Sequence, residues 1–235
     1  MRDIVRPVTA EFLGTFALVF VGAGAVVVDA SKGGALGLPG IALAQAAIFS
    51  VMVTALMPVS GAHFNPAITF AVWMASKIDL PRAAWYIVAQ LAAGVLAALA
   101  VKALAPTNAG EVMGYGVPRI AGDITMTKAI LIEAVLTLFL VSAVFGTAVS
   151  SEAPKVGGFG IGVVLLADIL MGGQLTGAAM NPARAFGPAL VGNDWHGHAA
   201  YWIGPMLGAA IAAVIWAKIL LPLEEREKGK GKREK

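Results

Sequence analysis

Ser60-Gly61-Ala62-His63-Phe64-Asn65-Pro66-Ala67 is answered in the second half of the chain by Thr176-Gly177-Ala178-Ala179-Met180-Asn181-Pro182-Ala183. The first copy lies in a stretch, Gly33 to Ser76, without Asp, Glu, Lys or Arg. A bilayer crossing takes about 20 apolar residues, so this stretch is too long for one span and too short for two with a turn between them. It fits one span plus half a span. Pro58, Gly61 and Pro66 interrupt the helix, which predicts a span over 38–59, a descending loop over 60–65 and a short helix over 66–76 at membrane depth. The second copy reads the same way over 157–175, 176–181 and 182–191. Irregular backbone at that depth is tolerated only where protein buries it or where it lines a wet cavity. Two such segments imply a pore or a binding site.

The apolar runs of the whole chain predict six spans, at 8–28, 38–59, 80–104, 126–149, 157–175 and 199–221. Ala10-Glu11-Phe12-Leu13-Gly14-Thr15-Phe16 answers Ile132-Glu133-Ala134-Val135-Leu136-Thr137-Leu138, so two repeats, about 5–105 and 126–221, make one channel domain over 1–223. Each repeat holds an odd number of spans and the repeats are therefore inverted, with half-helices entering from opposite faces. Arg2, Arg6, Lys77, Arg82, Lys155 and the C-terminal basic residues share one side, which the positive-inside rule makes cytoplasmic for both termini. The first apolar run follows Glu11 and belongs to the repeat, so it reads as a retained span rather than a cleaved signal. Gly22, Gly24, Gly94, Gly162 and the Gly204/Gly208 pair read as close helix contacts.

Composition agrees with a membrane protein. The 235 residues are 58% hydrophobic and 13% charged, where a soluble domain carries about 25% charged residues. The formal charge of +3 does not point to nucleic acid, because Arg226, Lys228, Lys230, Lys232, Arg233 and Lys235 sit in a tail, 224–235, interleaved with Glu224, Glu225, Glu227 and Glu234. That tail reads as a solvated cytoplasmic end. With no cysteine and three scattered histidines, there is no metal cluster, no cofactor and no nucleophile with its base, so an enzyme is not expected. A secondary transporter also uses inverted repeats but needs a coupling site, for which Asp168 is the sole candidate.

Asn before Pro starts a helix naturally, since Asn caps free N–H groups and Pro at the first position gives up an N–H that had no partner. Two such starts at the bilayer centre would each bring roughly half a positive charge and repel cations. Asn65 and Asn181 would also donate to a passing water and interrupt the donor chain that proton hopping needs. Arg184 is the only ionised side chain between Asp168 and Asp194, and the cost of burying it in lipid places it facing pore water. Glu11 and Glu133 read as acceptors that hold the re-entrant loops rather than as a proton relay. Asp168 reads as a buried hydrogen-bond acceptor in preference to a pore-facing charge. His63 lines the cytoplasmic half of the pore or packs within its own loop, and His196 and His198 read as exposed on the outer face.

The paired Asn-Pro-Ala boxes with Arg184, Glu11 and Glu133 resemble the aquaporin family over essentially residues 5–221. The resemblance implies an all-α fold, a right-handed bundle of six transmembrane helices and two re-entrant half-helices, assembled as a homotetramer with one pore per subunit in the lipid bilayer. It implies a passive channel for water that excludes protons and ions, and a four-residue selectivity filter at Gln45, Ile169, Ala178 and Arg184. Ala185 and Tyr201-Trp202 resemble the water-selective branch, where glycerol facilitators carry Asp and then Pro with an aliphatic residue. A facilitator of glycerol or urea is the alternative. Leu175 to Pro188, with Trp195 and Tyr201 to Pro205, resembles plant vacuolar aquaporins, several of which pass ammonia or urea, although those carry His where Gln45 stands. The expected location is the cell (plasma) membrane.

Overall fold

The computed structural model describes residues 2–226, with side chains from Ile4 onward. It is helical throughout, with no strand among the described residues. Six helices are long and apolar enough to cross a membrane, making this a multi-pass integral membrane protein. They are α1 (Arg2–Ser31), α2 (Gly37–Ser60), α4 (Leu80–Leu104), α6 (Met126–Val144), α7 (Phe159–Thr176) and α9 (Ala200–Ile215). Single π-helical turns at Phe145–Val149 and Trp216–Leu220 extend α6 and α9.

Two short helices, α3 (Pro66–Met74) and α8 (Pro182–Gly192), are the half-helices, and each starts with Pro just inside an Asn cap. Pro58 does not end its span as the sequence reading has it. The helix runs past it to Ser60 and stops at Gly61, which takes φ +89° as a left-handed cap. Gly177 repeats the device at φ +81° after α7. A helical turn at Thr107–Val112 (α5) and a 3₁₀ turn at Gly114–Gly116, both unforeseen, fold the loop between the repeats. The charged tail from residue 227 lies outside the described residues.

Contact between helices is backbone-close where glycine allows it. A Cβ on Gly208 would sit 2.0 Å from the Ala134 carbonyl oxygen, and one on Gly204 2.7 Å from that of Ile130, so α9 lies directly on α6. Gly187 of α8 and Gly94 of α4 meet in the same way, a Cβ on Gly187 falling 2.1 Å from the Gly94 oxygen. In lipid this close approach gains dispersion contact where no hydrophobic force drives helices together. Gly24 does not belong with them, since its nearest such neighbour is a Val101 methyl at 3.9 Å. Gly22 admits a side chain rather than a helix, and that side chain is Gln45.

Candidate functional site

The two loops that enter the fold centre carry non-glycine residues in left-handed conformations: Ala62 and Phe64 at φ 52°, Ala178 at 44° and Met180 at 51°. Each such residue costs of order 1–3 kcal/mol and persists only when its surroundings impose it. The carboxylates impose it. Glu11 accepts the backbone N–H groups of His63 (2.9 Å) and Phe64 (2.7 Å), the Ser60 hydroxyl (2.6 Å) and the Gln90 amide (2.8 Å). Glu133 accepts the N–H groups of Ala179 (3.0 Å) and Met180 (2.7 Å) and the Thr176 hydroxyl (2.7 Å). In each loop two successive N–H groups turn to one carboxylate, a concavity that suits an anion.

The half-helix starts meet through their caps. Asn65 Oδ1 accepts the Ala67 N–H at 2.8 Å, and its Nδ2 donates to the Met180 carbonyl at 2.9 Å. Asn181 Oδ1 accepts the N–H groups of Ala183 (3.0 Å) and Arg184 (3.3 Å), and its Nδ2 donates to the Phe64 carbonyl at 2.9 Å. The exchange is reciprocal. Each amide spends one of its two hydrogens on the opposite loop and keeps one.

Beside this pair lies a narrow cavity walled by Leu18, Gln45, Phe49, Asn65, Leu140, Leu165, Ala179, Asn181 and Arg184. Its volume is about 10 Å³, at the lower limit of what a single water needs. The apolar part follows the internal repeat: Leu18 and Leu140 stand the same step beyond Glu11 and Glu133, and Phe49 and Leu165 the same step before Asn65 and Asn181. These four were missed by the sequence reading, although the repeat alignment carries the signal.

Of the expected filter residues, Gln45 and Arg184 border the cavity, while Ile169 and Ala178 are buried, at 2% each, and do not. Arg184 makes no ion pair among the described residues; Nη1 donates to the Gly116 carbonyl at 2.7 Å and Nε has no partner. Gly116 was also missed. It sits at φ +85° in the 3₁₀ turn, where a Cβ would lie 2.6 Å from Ala23, so the loop presses its carbonyl inward to the guanidinium.

His63 is buried with Nδ1 3.1 Å from the Thr69 hydroxyl and its ring edge-on to Tyr86, and it is absent from the cavity wall. Asp168 corrects the sequence reading: it is buried, yet Oδ2 accepts no hydrogen bond among the described residues and it does not border the cavity. One turn further along, Gly172 faces Leu136 of α6, which has no donor to offer. His198 is also not simply exposed. It accepts the Trp202 indole N–H at 3.1 Å and stacks edge-on with Trp195, and burial lowers its pKa below the ordinary histidine value.

The family described as Major intrinsic protein is matched over residues 1–216. Probable aquaporin TIP3-2 of Arabidopsis thaliana is 39% identical over 94% of this chain and 85% of its own length. Aquaporin TIP4-4 of Zea mays is 40% identical over 90% and 85% respectively. Among solved structures, the aquaglyceroporin from Plasmodium falciparum superposes with a TM-score of 0.80 over 94% of this chain and 98% of that one, at 23% identity, a likeness of fold.

Proposed function

The chain belongs to the major intrinsic protein family and is a passive water channel, not an enzyme, and from that premise we propose that its pore also passes ammonia and urea while excluding protons and ions. The observation that carries the water-conducting part is the cavity of a single water's size in which Gln45, Arg184 and both cap asparagines meet. A water there finds donors in Arg184 and in the uncommitted amide hydrogens of Asn65 and Asn181, against a wall of Leu18, Phe49, Leu140 and Leu165. Two half-helix starts at one place add a positive potential that opposes cations.

The solute range follows from the filter. Ile169 offers no hydrogen bond and Ala178 contributes little bulk. Gln45 lies against α1 at Gly22, where even one added carbon would come within 2.7 Å of its amide. Ile169 and Ala178 do not border the single-water cavity, but as walls of the four-residue filter they would leave it less polar on one side than a strict water filter, with Arg184 still repelling cations. Ala185 and Tyr201-Trp202 argue against the glycerol alternative. A coupled transporter would need Asp168 at the cavity, which it does not border.

The same reading puts both termini in the cytoplasm and assembles four copies around separate pores. The sequence expectation of a plasma membrane is not favoured by the relatives, whose TIP names denote tonoplast intrinsic proteins; these support an internal, vacuole-type membrane. Light scattering from proteoliposomes under water, urea and ammonia gradients tests the solute range. Wild type should pass all three, and Gln45→Phe with Ile169→His should suppress urea and ammonia by about tenfold or more while sparing water. Urea and ammonia fluxes no greater than in empty vesicles would overturn the wide-filter reading.

A further inference from the structure

The half-helix α3 fills only part of the wall between α4 and α9, and on the membrane face where α3 ends it leaves an open groove of about 830 Å³. Phe70, Trp73, Met74 and Ile78 form its apolar part, with the Phe70 and Trp73 rings 5.8 Å apart. Lys77, Asp79 and Arg82 form its polar rim. The rim charges are not equivalent. Asp79 turns its carboxylate to the first turn of α4, accepting the Arg82 N–H at 2.8 Å, and Lys77 pairs with Glu225. The Arg82 guanidinium is exposed and makes no hydrogen bond or ion pair among the described residues.

We propose that this groove between α3 and α4 binds an anionic phospholipid, its phosphate on Arg82 and Lys77 and an acyl chain along Phe70, Trp73, Met74 and Ile78. A half-buried aromatic and apolar floor in a groove at the end of a membrane-depth helix suits acyl chains, and a tryptophan at such a boundary suits the headgroup level. The free guanidinium supplies the preference for a negative headgroup, in the bidentate geometry that a phosphate matches. Lys77 adds to it by exchanging Glu225 for the phosphate, so bound lipid and the docked C-terminal segment compete for one ammonium.

Native mass spectrometry of the full chain in detergent, titrated with phosphatidylglycerol and with phosphatidylcholine of the same acyl chains, reads this directly. Phosphatidylglycerol should be retained preferentially, and each of Arg82→Gln and Lys77→Gln should cut the preference by about fivefold, with Arg82→Lys largely retaining it. Neither side chain belongs to the pore, so water permeability serves as the folding control. A parallel measurement in vesicles uses phosphatidylglycerol brominated in its acyl chains, whose quenching of tryptophan fluorescence should fall in Trp73→Phe. Equal retention of the two lipids, or an unchanged preference in the double glutamine variant, overturns the proposal. Quenching that Trp73→Phe leaves unaltered also overturns it, because the groove is then covered by protein, as by a second copy of the chain.

Discussion

Asp168 is a carboxylate inside a transmembrane helix, and one of its oxygens is buried and unpaired among the described residues. Burial of an unpaired ionisable group at that depth costs a few kcal/mol, and nothing at the cavity draws a benefit from it. Asp168→Asn should therefore raise thermal stability in detergent by about 1–2 kcal/mol and leave water permeability unchanged; a loss of permeability would place Asp168 in the transport path. Polar residues of this kind are legible in the sequence because they stand out in apolar runs, and Asn65, Asn181, Arg184, Glu11 and Glu133 all do. What each one bonds is less legible. The partner of Arg184 is a backbone carbonyl, at Gly116, and a carbonyl carries no side-chain signature. The Gly-Tyr-Gly spacing around it signals a tight turn, but not that the turn reaches the guanidinium.

At the scale of elements, the spans and half-helices follow from run length, proline and the Asn caps, and their observed ends fall close to those expected except at α1, which runs Arg2–Ser31 where 8–28 is expected. The re-entrant loops do not follow from propensity. Ala62, Phe64, Ala178 and Met180 adopt left-handed backbone that no local preference assigns to them; tertiary hydrogen bonds to Glu11 and Glu133 override it. Glycine is legible as a packing residue only in part, since spacing alone does not separate Gly208, pressed on a carbonyl, from Gly24, which faces open contact. Gly208→Ala should accordingly lower stability by about 1–3 kcal/mol in a thermal melt, with Gly24→Ala near neutral. Equal effects would contradict the direct seating of α9 on α6.

Across the whole molecule, the C-terminal segment is fastened back onto both repeats. Glu225 accepts the Ser151 N–H at 2.8 Å and pairs with Lys77. Burial pushes the Glu225 carboxyl up, but the bonds from Lys77 and Ser151 outweigh it and hold the group down at about 2. A depressed carboxyl stabilises the contact fully above its ordinary value of 4.5 and loses that contribution as pH falls towards about 2. Amide exchange at Ser151, corrected for its intrinsic rate, should be slow at neutral pH and fast in Glu225→Gln; indistinguishable rates would remove the clasp from the account. In the pore itself, one assembly of half-helix starts and cap asparagines is proposed to conduct water yet interrupt proton transfer. Proteoliposomes loaded with a pH-sensitive dye, with water permeability measured by light scattering on the same preparation, put it to the most direct test. Water permeability should rise with the protein-to-lipid ratio while proton leak stays at that of empty vesicles, and a leak rising in proportion with water permeability would contradict it.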